Sequence, residues 1–136
     1  MLSAHGSAPQ VVLAAQELGS YVVDSVCPLV TKVHHEVKTR ATKGYHIVYI
    51  GHEGHEEVEG TMGEAPGNMV LVDGLDQVEK LEVKEGEKIA WLSQTTLSVD
   101  ETLETVHALK KKLPILMMIF LSYYSSLMMM MMNLNF

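Results

Sequence analysis

Short apolar, β-branched runs at residues 21–24, 46–50, 69–72 and 89–93 are separated by segments with helical spacing, and this alternation leaves few folds open. Each run is bounded by Gly or polar residues and reads as a short buried strand. In the segment after Cys27, Val30, Val33, Val37 and Ala41 recur at helical spacing, Pro28 suits a first turn, and Gly44 supplies a left-handed stop. Near the other end, Ser98 and Glu101 make a capping box, and Val99, Leu103 and Val106 line one face. Asp100 and Glu101 precede Lys110, Lys111 and Lys112 along the dipole, and Pro114 ends the helix. Further helices are expected over 9–18, closed by Gly19, and over 76–81; residues 65–68 read as a loop. Strands alternating with helices imply an α/β protein, a three-layer αβα arrangement around a mostly parallel sheet.

With 136 residues the chain has room for one modest core. Its formal charge of -7 argues against nucleic acid or an anionic membrane as a non-specific partner, so an anionic ligand must be held by local groups. A single cysteine allows no internal disulfide, and the residues after Met1 lack a secretory pattern, so a reducing cytoplasm is expected. The texture changes after Lys112: residues 113–136 carry no charged side chain and contain five consecutive methionines, Met128 to Met132. A C-terminal membrane anchor and a buried helix are two readings of this tail, and Pro114 and the polar cluster at 122–126 weaken the first. The reading favoured here is a shifted frame, since repeated Asp codons read one base late become Met codons.

Ligands of parallel sheets bind beyond the carboxyl ends of strands, and the residues there are rich in chemistry. Cys27 follows the run at 21–24 and stands at a helix N-terminus, where the dipole favours thiolate; a small buried hydrophobe is the alternative. The stretch GHEGHEEVEG follows 46–50. Its His52 and His55, beside Gly51 and Gly54, suit an anion or a metal, or else are solvated loop residues. Glu57 can deliver a proton if its surroundings favour the protonated form, whereas Glu53, Glu56 and Glu59 read as solvated. His5 precedes Gly6 and a capping pair, Ser7 and Gln10, which puts an imidazole near a helix N-terminus suited to phosphate. Gln94, Thr95 and Thr96 follow 89–93 and offer neutral donors for phosphate or hydroxyl, or caps for the next helix. His34, His35, His46 and His107 are assigned to packing or surface.

Four motifs, SAHGSAP at 3–9, VCPLVTKVHHEV at 26–37, IGHEGHEEVEGTMG at 50–63 and SQTTLSVDET at 93–102, resemble the 4-hydroxy-3-methylbut-2-enyl diphosphate reductase family, in uninterrupted order from about Leu2 to Lys112. The resemblance implies a trefoil of three α/β units around a [4Fe-4S] cluster, with this chain as a fragment: 1–26 part of the first unit, 27–112 the central unit, 113–136 an aberrant apolar tail. It implies that Cys27 is a cluster ligand, that His5 and His55 bind the substrate diphosphate with Gln94 and Thr95 contacting substrate, and that Glu57 supplies protons. The partners implied are an allylic diphosphate and a ferredoxin-like or flavodoxin-like electron donor, with a membrane only if the tail is genuine.

Departures from the family pattern are Glu56, where proline is usual, and Ser25 with Val26 in place of a small pair. The family holds its cluster with three cysteines, and Cys27 is the one present here, so the isolated chain is expected to be inactive. Two alternatives compete: a mononuclear zinc protein using Cys27, His52 and His55, with or without Glu57, and a non-enzymatic, tail-anchored fragment.

Overall fold

The computed structural model describes residues 4–19, 21, 25–84, 86–113 and 117–118. In chain order the elements are α1 (Pro9–Glu17), α2 (Pro28–Thr42), β1 (His46–Ile50), α3 (Glu56–Met62), β2 (Met69–Val72), α4 (Leu75–Lys80), β3 (Ile89–Ser93), α5 (Val99–Lys112) and β4 (Met117–Met118). All strand pairings are parallel, in the order β2-β1-β3-β4. The strand expected at 21–24 falls, apart from Tyr21, outside the described residues.

The sheet is central because its strands are apolar on both faces. From β1, Ile47 and Tyr49 enter a cluster with Val33 and Val37 of α2, Val58 of α3, Met69 and Leu92. Val48 and Ile50 point the other way, into a cluster with Val72, Val78 of α4, Trp91, and Val106 and Leu109 of α5. Helices α2 and α3 thus cover one face, and α4 and α5 the other, which is the expected three-layer αβα arrangement.

Local signals explain most helix ends. Pro28 occupies the first turn of α2 behind Cys27 as N-cap, and Ser98 with Glu101 forms the expected capping box on α5. The expected cap of α1 by Ser7 and Gln10 is not what forms: the N-cap is Ala8, which has no side-chain acceptor, and the preset φ of Pro9 starts the helix instead. Helix α1 buries none of its residues. Helix α3 has no counterpart in the periodicity, being seven residues long with Gly60 inside it.

The fold runs past Lys112, because Met117 and Met118 pair with Ala90 and Trp91 as a fourth strand. The rest of the tail, and with it the anchor and shifted-frame readings, lies outside the described residues. Among the described residues no helix is long and apolar enough to cross a membrane.

From β1 the chain passes through α3 to β2 on one side, then through α4 to β3 on the other. The order therefore reverses between β1 and β3, and their carboxyl ends flank the crevice where ligands of such sheets bind. Truncating the fully buried Leu109 to Ala should cost about 2–5 kcal/mol in urea denaturation followed by Trp91 emission. Leu13→Ala on the exposed face of α1 should change stability by less than about 0.5 kcal/mol; equal effects would contradict this placement of the core.

Candidate functional site

The turn after β1 is held from both neighbouring strands. Gln94, just past β3, accepts from the His52 backbone N–H at Oε1 (3.0 Å), and its Nε2 donates to Thr96 Oγ1 (2.6 Å). Asp73, just past β2, accepts from the Glu53 backbone N–H at Oδ2 (2.9 Å), and its Oδ1 lies 3.1 Å from His52 Nδ1. The turn closes on itself through the His55 N–H, which donates to the His52 carbonyl (3.1 Å).

That closure delivers His55 as the N-cap of α3, an unusual cap in which the ring nitrogen Nδ1 accepts from the Glu57 N–H (3.1 Å). An accepting Nδ1 leaves Nε2 as the protonated, donating nitrogen of the neutral ring. Two residues on, the side chain of Glu57 is fully buried. Its carboxylate takes two hydrogen bonds from Thr95 across the β1–β3 crevice: the backbone N–H donates to Oε1 (2.7 Å) and the hydroxyl to Oε2 (3.0 Å). One helical turn later Thr61, also fully buried, accepts from the Tyr49 hydroxyl (3.5 Å). Burial pushes that phenol well above its ordinary range, and the charge of Glu57 adds to the rise, so Tyr49 stays protonated beside the carboxylate.

The segment carrying His5 docks on this framework through close backbone approach. The Cys27 N–H donates to the Ala4 carbonyl (3.0 Å). A Cβ on Gly60 would come within 3.2 Å of the Gly6 backbone, and one on Gly63 within 2.5 Å of Ala8 Cβ, so α3 presents two glycines where the segment lies against it. The His5 and His55 rings meet edge to face, 5.3 Å between centroids, and His5 Nδ1 lies 3.4 Å from the exposed Glu56 carboxylate.

The structure therefore links five of the six candidates by direct contacts: His5 to His55, His55 to Glu57, Glu57 to Thr95, and Gln94 next in chain to Thr95. Cys27, a half-buried free thiol, joins through its backbone contact with Ala4. Gln94 is 3% exposed and both ends of its amide already bond protein groups, which makes it a bracket for the turn. The zinc constellation does not assemble. His52 is turned to Asp73 while His55 caps α3, and among the described residues no group of three His, Cys, Asp or Glu is placed to hold a metal ion.

Asp73, Tyr49 and Thr61 were not among the candidates. Asp73 directly follows a strand and was open to the same reasoning as the others; Tyr49, inside β1, read only as a strand residue, and Thr61 carried no signal because the helix that aligns it with Glu57 left no periodicity.

Comparison with known proteins gives the site a lineage. Residues 1–123 match a family model described as LytB protein. The chain is 54% identical over 114 residues to 4-hydroxy-3-methylbut-2-enyl diphosphate reductase 2 of Mycobacterium tuberculosis, covering 84% of this chain and 34% of that protein. It is 58% identical over 114 residues to the reductase of Streptomyces coelicolor, with the same coverage. It also resembles the solved E-1-hydroxy-2-methyl-but-2-enyl-4-diphosphate reductase of Plasmodium falciparum, with a TM-score of 0.85 and 37% identity over 91% of this chain and 40% of that one. The chain thus spans about a third of the length of the curated relatives it matches.

The Asp73 latch responds to acid. Its carboxyl is held below the ordinary aspartate range, first by the Glu53 N–H and then by the His52 ring. A value depressed on folding means that the stabilisation is complete above the ordinary range and is lost as pH falls through the lower, folded value. The Glu53 amide resonance should shift through that acidic window, and Asp73→Asn should abolish the response; a wild-type amide that does not move contradicts the latch.

Proposed function

We propose a function for this chain from the premise that it belongs to the LytB protein family: it is the stretch of a 4-hydroxy-3-methylbut-2-enyl diphosphate reductase that grips the diphosphate and supplies a proton. The observation that carries this reading is the fully buried Glu57, bonded on both oxygens by Thr95 and standing next to a histidine pair.

The roles follow from the contacts. His55 presents Nε2–H as a donor, and His5 stands beside it, so two imidazoles face a diphosphate that the net negative charge of the chain would otherwise repel. The Thr95 hydroxyl, bonded to Glu57 Oε2 on a residue that is only partly buried, would contact the substrate hydroxyl and relay a proton between it and Glu57. The reductive dehydroxylation consumes two protons, one leaving with the hydroxyl as water and one ending on the allylic carbon, and Glu57 is the group through which the site would deliver them. Tyr49 and Thr61, both fully buried and joined by a hydrogen bond, lie on the protein side of this group. Gln94 and Asp73 hold the turn that aims His55.

The family is one of iron–sulfur enzymes, and the donor set here fits part of such a group. Cys27, the chain's one cysteine, is a free, half-buried thiol at the N-cap of α2. One thiolate does not hold a [4Fe-4S] cubane, so Cys27 would be one ligand and the others would come from regions of the relatives that this chain does not span. Bound there, the cluster would supply the two electrons of the reductive dehydroxylation, received from a ferredoxin-like or flavodoxin-like donor, to yield isopentenyl and dimethylallyl diphosphates. A reducing cytoplasm suits the unpaired thiol.

Two experiments test the reading. After anaerobic reconstitution the isolated chain should hold well under one four-iron cluster per molecule; a stoichiometric cluster contradicts it. Replacing the matching third of the Streptomyces coelicolor relative by residues 1–112 should give an active reductase, and Glu57→Gln in that chimera should lower kcat by about 10²–10⁴-fold. A folded, cluster-loaded chimera without activity, or one indifferent to Glu57→Gln, overturns the assignment.

A further inference from the structure

Behind the His5 turn lies a partly buried charged cluster, His34 and Glu64 with the exposed Lys38, that the proposed chemistry does not use. His34 of α2 is 12% exposed, and its Nδ1 lies 2.7 Å from Oε1 of Glu64, which is 5% exposed. Lys38, one turn further along α2, places Nζ 2.9 Å from Glu64 Oε2. Burying a carboxylate is unfavourable unless it is paired, and here Oε1 is hydrogen-bonded to His34 while Oε2 is ion-paired with Lys38 without hydrogen-bond geometry. The pairing also fixes the orientation of the imidazole.

The other ring nitrogen, Nε2, is buried without a hydrogen-bond partner and lies against Gly6. A Cβ on Gly6 would stand 2.9 Å from Nε2 and 3.0 Å from Val30 Cγ1, and the backbone there has φ +84°. The turn next to His5 is thus seated on the His34 ring on one side and on Gly60 on the other. The approach of His5 to Glu56 and of Ala8 to Gly63 adds to this seat. The Ala8 N-cap makes no side-chain hydrogen bond, α1 buries no residue, and the backbone bond to Cys27 lies before His5.

We propose that His34 is a positioning residue for His5: its ring, clamped by Glu64 and Lys38, is the support that sets His5 at its distance from His55. A residue wedged under a turn by a fixed salt link transmits its position to the neighbouring side chain, and small displacements of a binding group cost affinity steeply. The diphosphate part of this inference rests on the function proposed above; the ring geometry does not.

The test uses the 136-residue chain, with inorganic pyrophosphate as probe. Histidine ring NMR reports the His5–His55 contact, pyrophosphate titration reports binding, and emission of Trp91, buried on the opposite face of the sheet, reports the fold. His34→Ala should abolish the ring contact and weaken pyrophosphate binding about tenfold, equivalent to ~1.4 kcal/mol, with Trp91 emission unchanged. An unchanged ring contact with native emission overturns the proposal. If His34→Ala unfolds the chain, His34→Gln, which keeps a donor towards Glu64 but not the ring under Gly6, decides: a folded variant with His5 displaced upholds the proposal, and one with the contact intact overturns it. A wild-type chain that does not bind pyrophosphate counts against the function proposed above, while the ring contact still decides the role of His34.

Discussion

The bond between Glu57 and Thr95 is the constraint around which this molecule is arranged. A carboxylate with no solvent contact survives only if both oxygens are bonded, and the two donors come from a residue 38 positions away, beyond a different strand. Meeting that demand requires β1 and β3 to be parallel neighbours in register, so that Ile50 faces Ser93 and the two following turns emerge side by side. It also requires α3 to begin where it does, which the His55 ring secures by capping its first turn. The two apolar clusters serve this geometry by holding the sheet between two layers of helices.

How much of this was legible in the sequence depended on the range of the interaction. Strands β1, β2 and β3 were plain as apolar runs, and α2 and α5 as periodic segments with Pro28, Gly44 and the Ser98–Glu101 box at their ends, because each signal is local. The sites at the strand ends could be inspected for the same reason, and His5, His55, Glu57 and Thr95 are all found within one connected set of contacts. Helix α3 was not legible: seven residues give too few turns for periodicity, and Gly60 reads as a breaker until the segment packed against it is seen. The spacing of His52 and His55 suggested a shared metal, but a turn sends one ring to Asp73 and the other to the helix end.

The glycines of the third motif show how a pattern can be recognised without its reason being visible. Gly60 lies inside α3 and Gly63 is its C-cap, and together they are the surface that lets residues 6–8 approach the helix. That approach brings His5 from the far end of the sequence to within ring contact of His55. The same economy leaves α1 weakly attached and its Val11 and Leu13 exposed, in a chain about a third as long as its relatives.

The central claim, that the Glu57–Thr95 bond crosses the crevice and holds the site together, is tested most directly by a double-mutant cycle on stability. Glu57→Met removes both acceptors at similar volume, and Thr95→Val removes the hydroxyl donor. A hydrogen bond to a buried charge predicts a coupling of about 1.5–3 kcal/mol between the two substitutions. Additivity to within about 0.5 kcal/mol would show that the two side chains do not meet, and the account would fail.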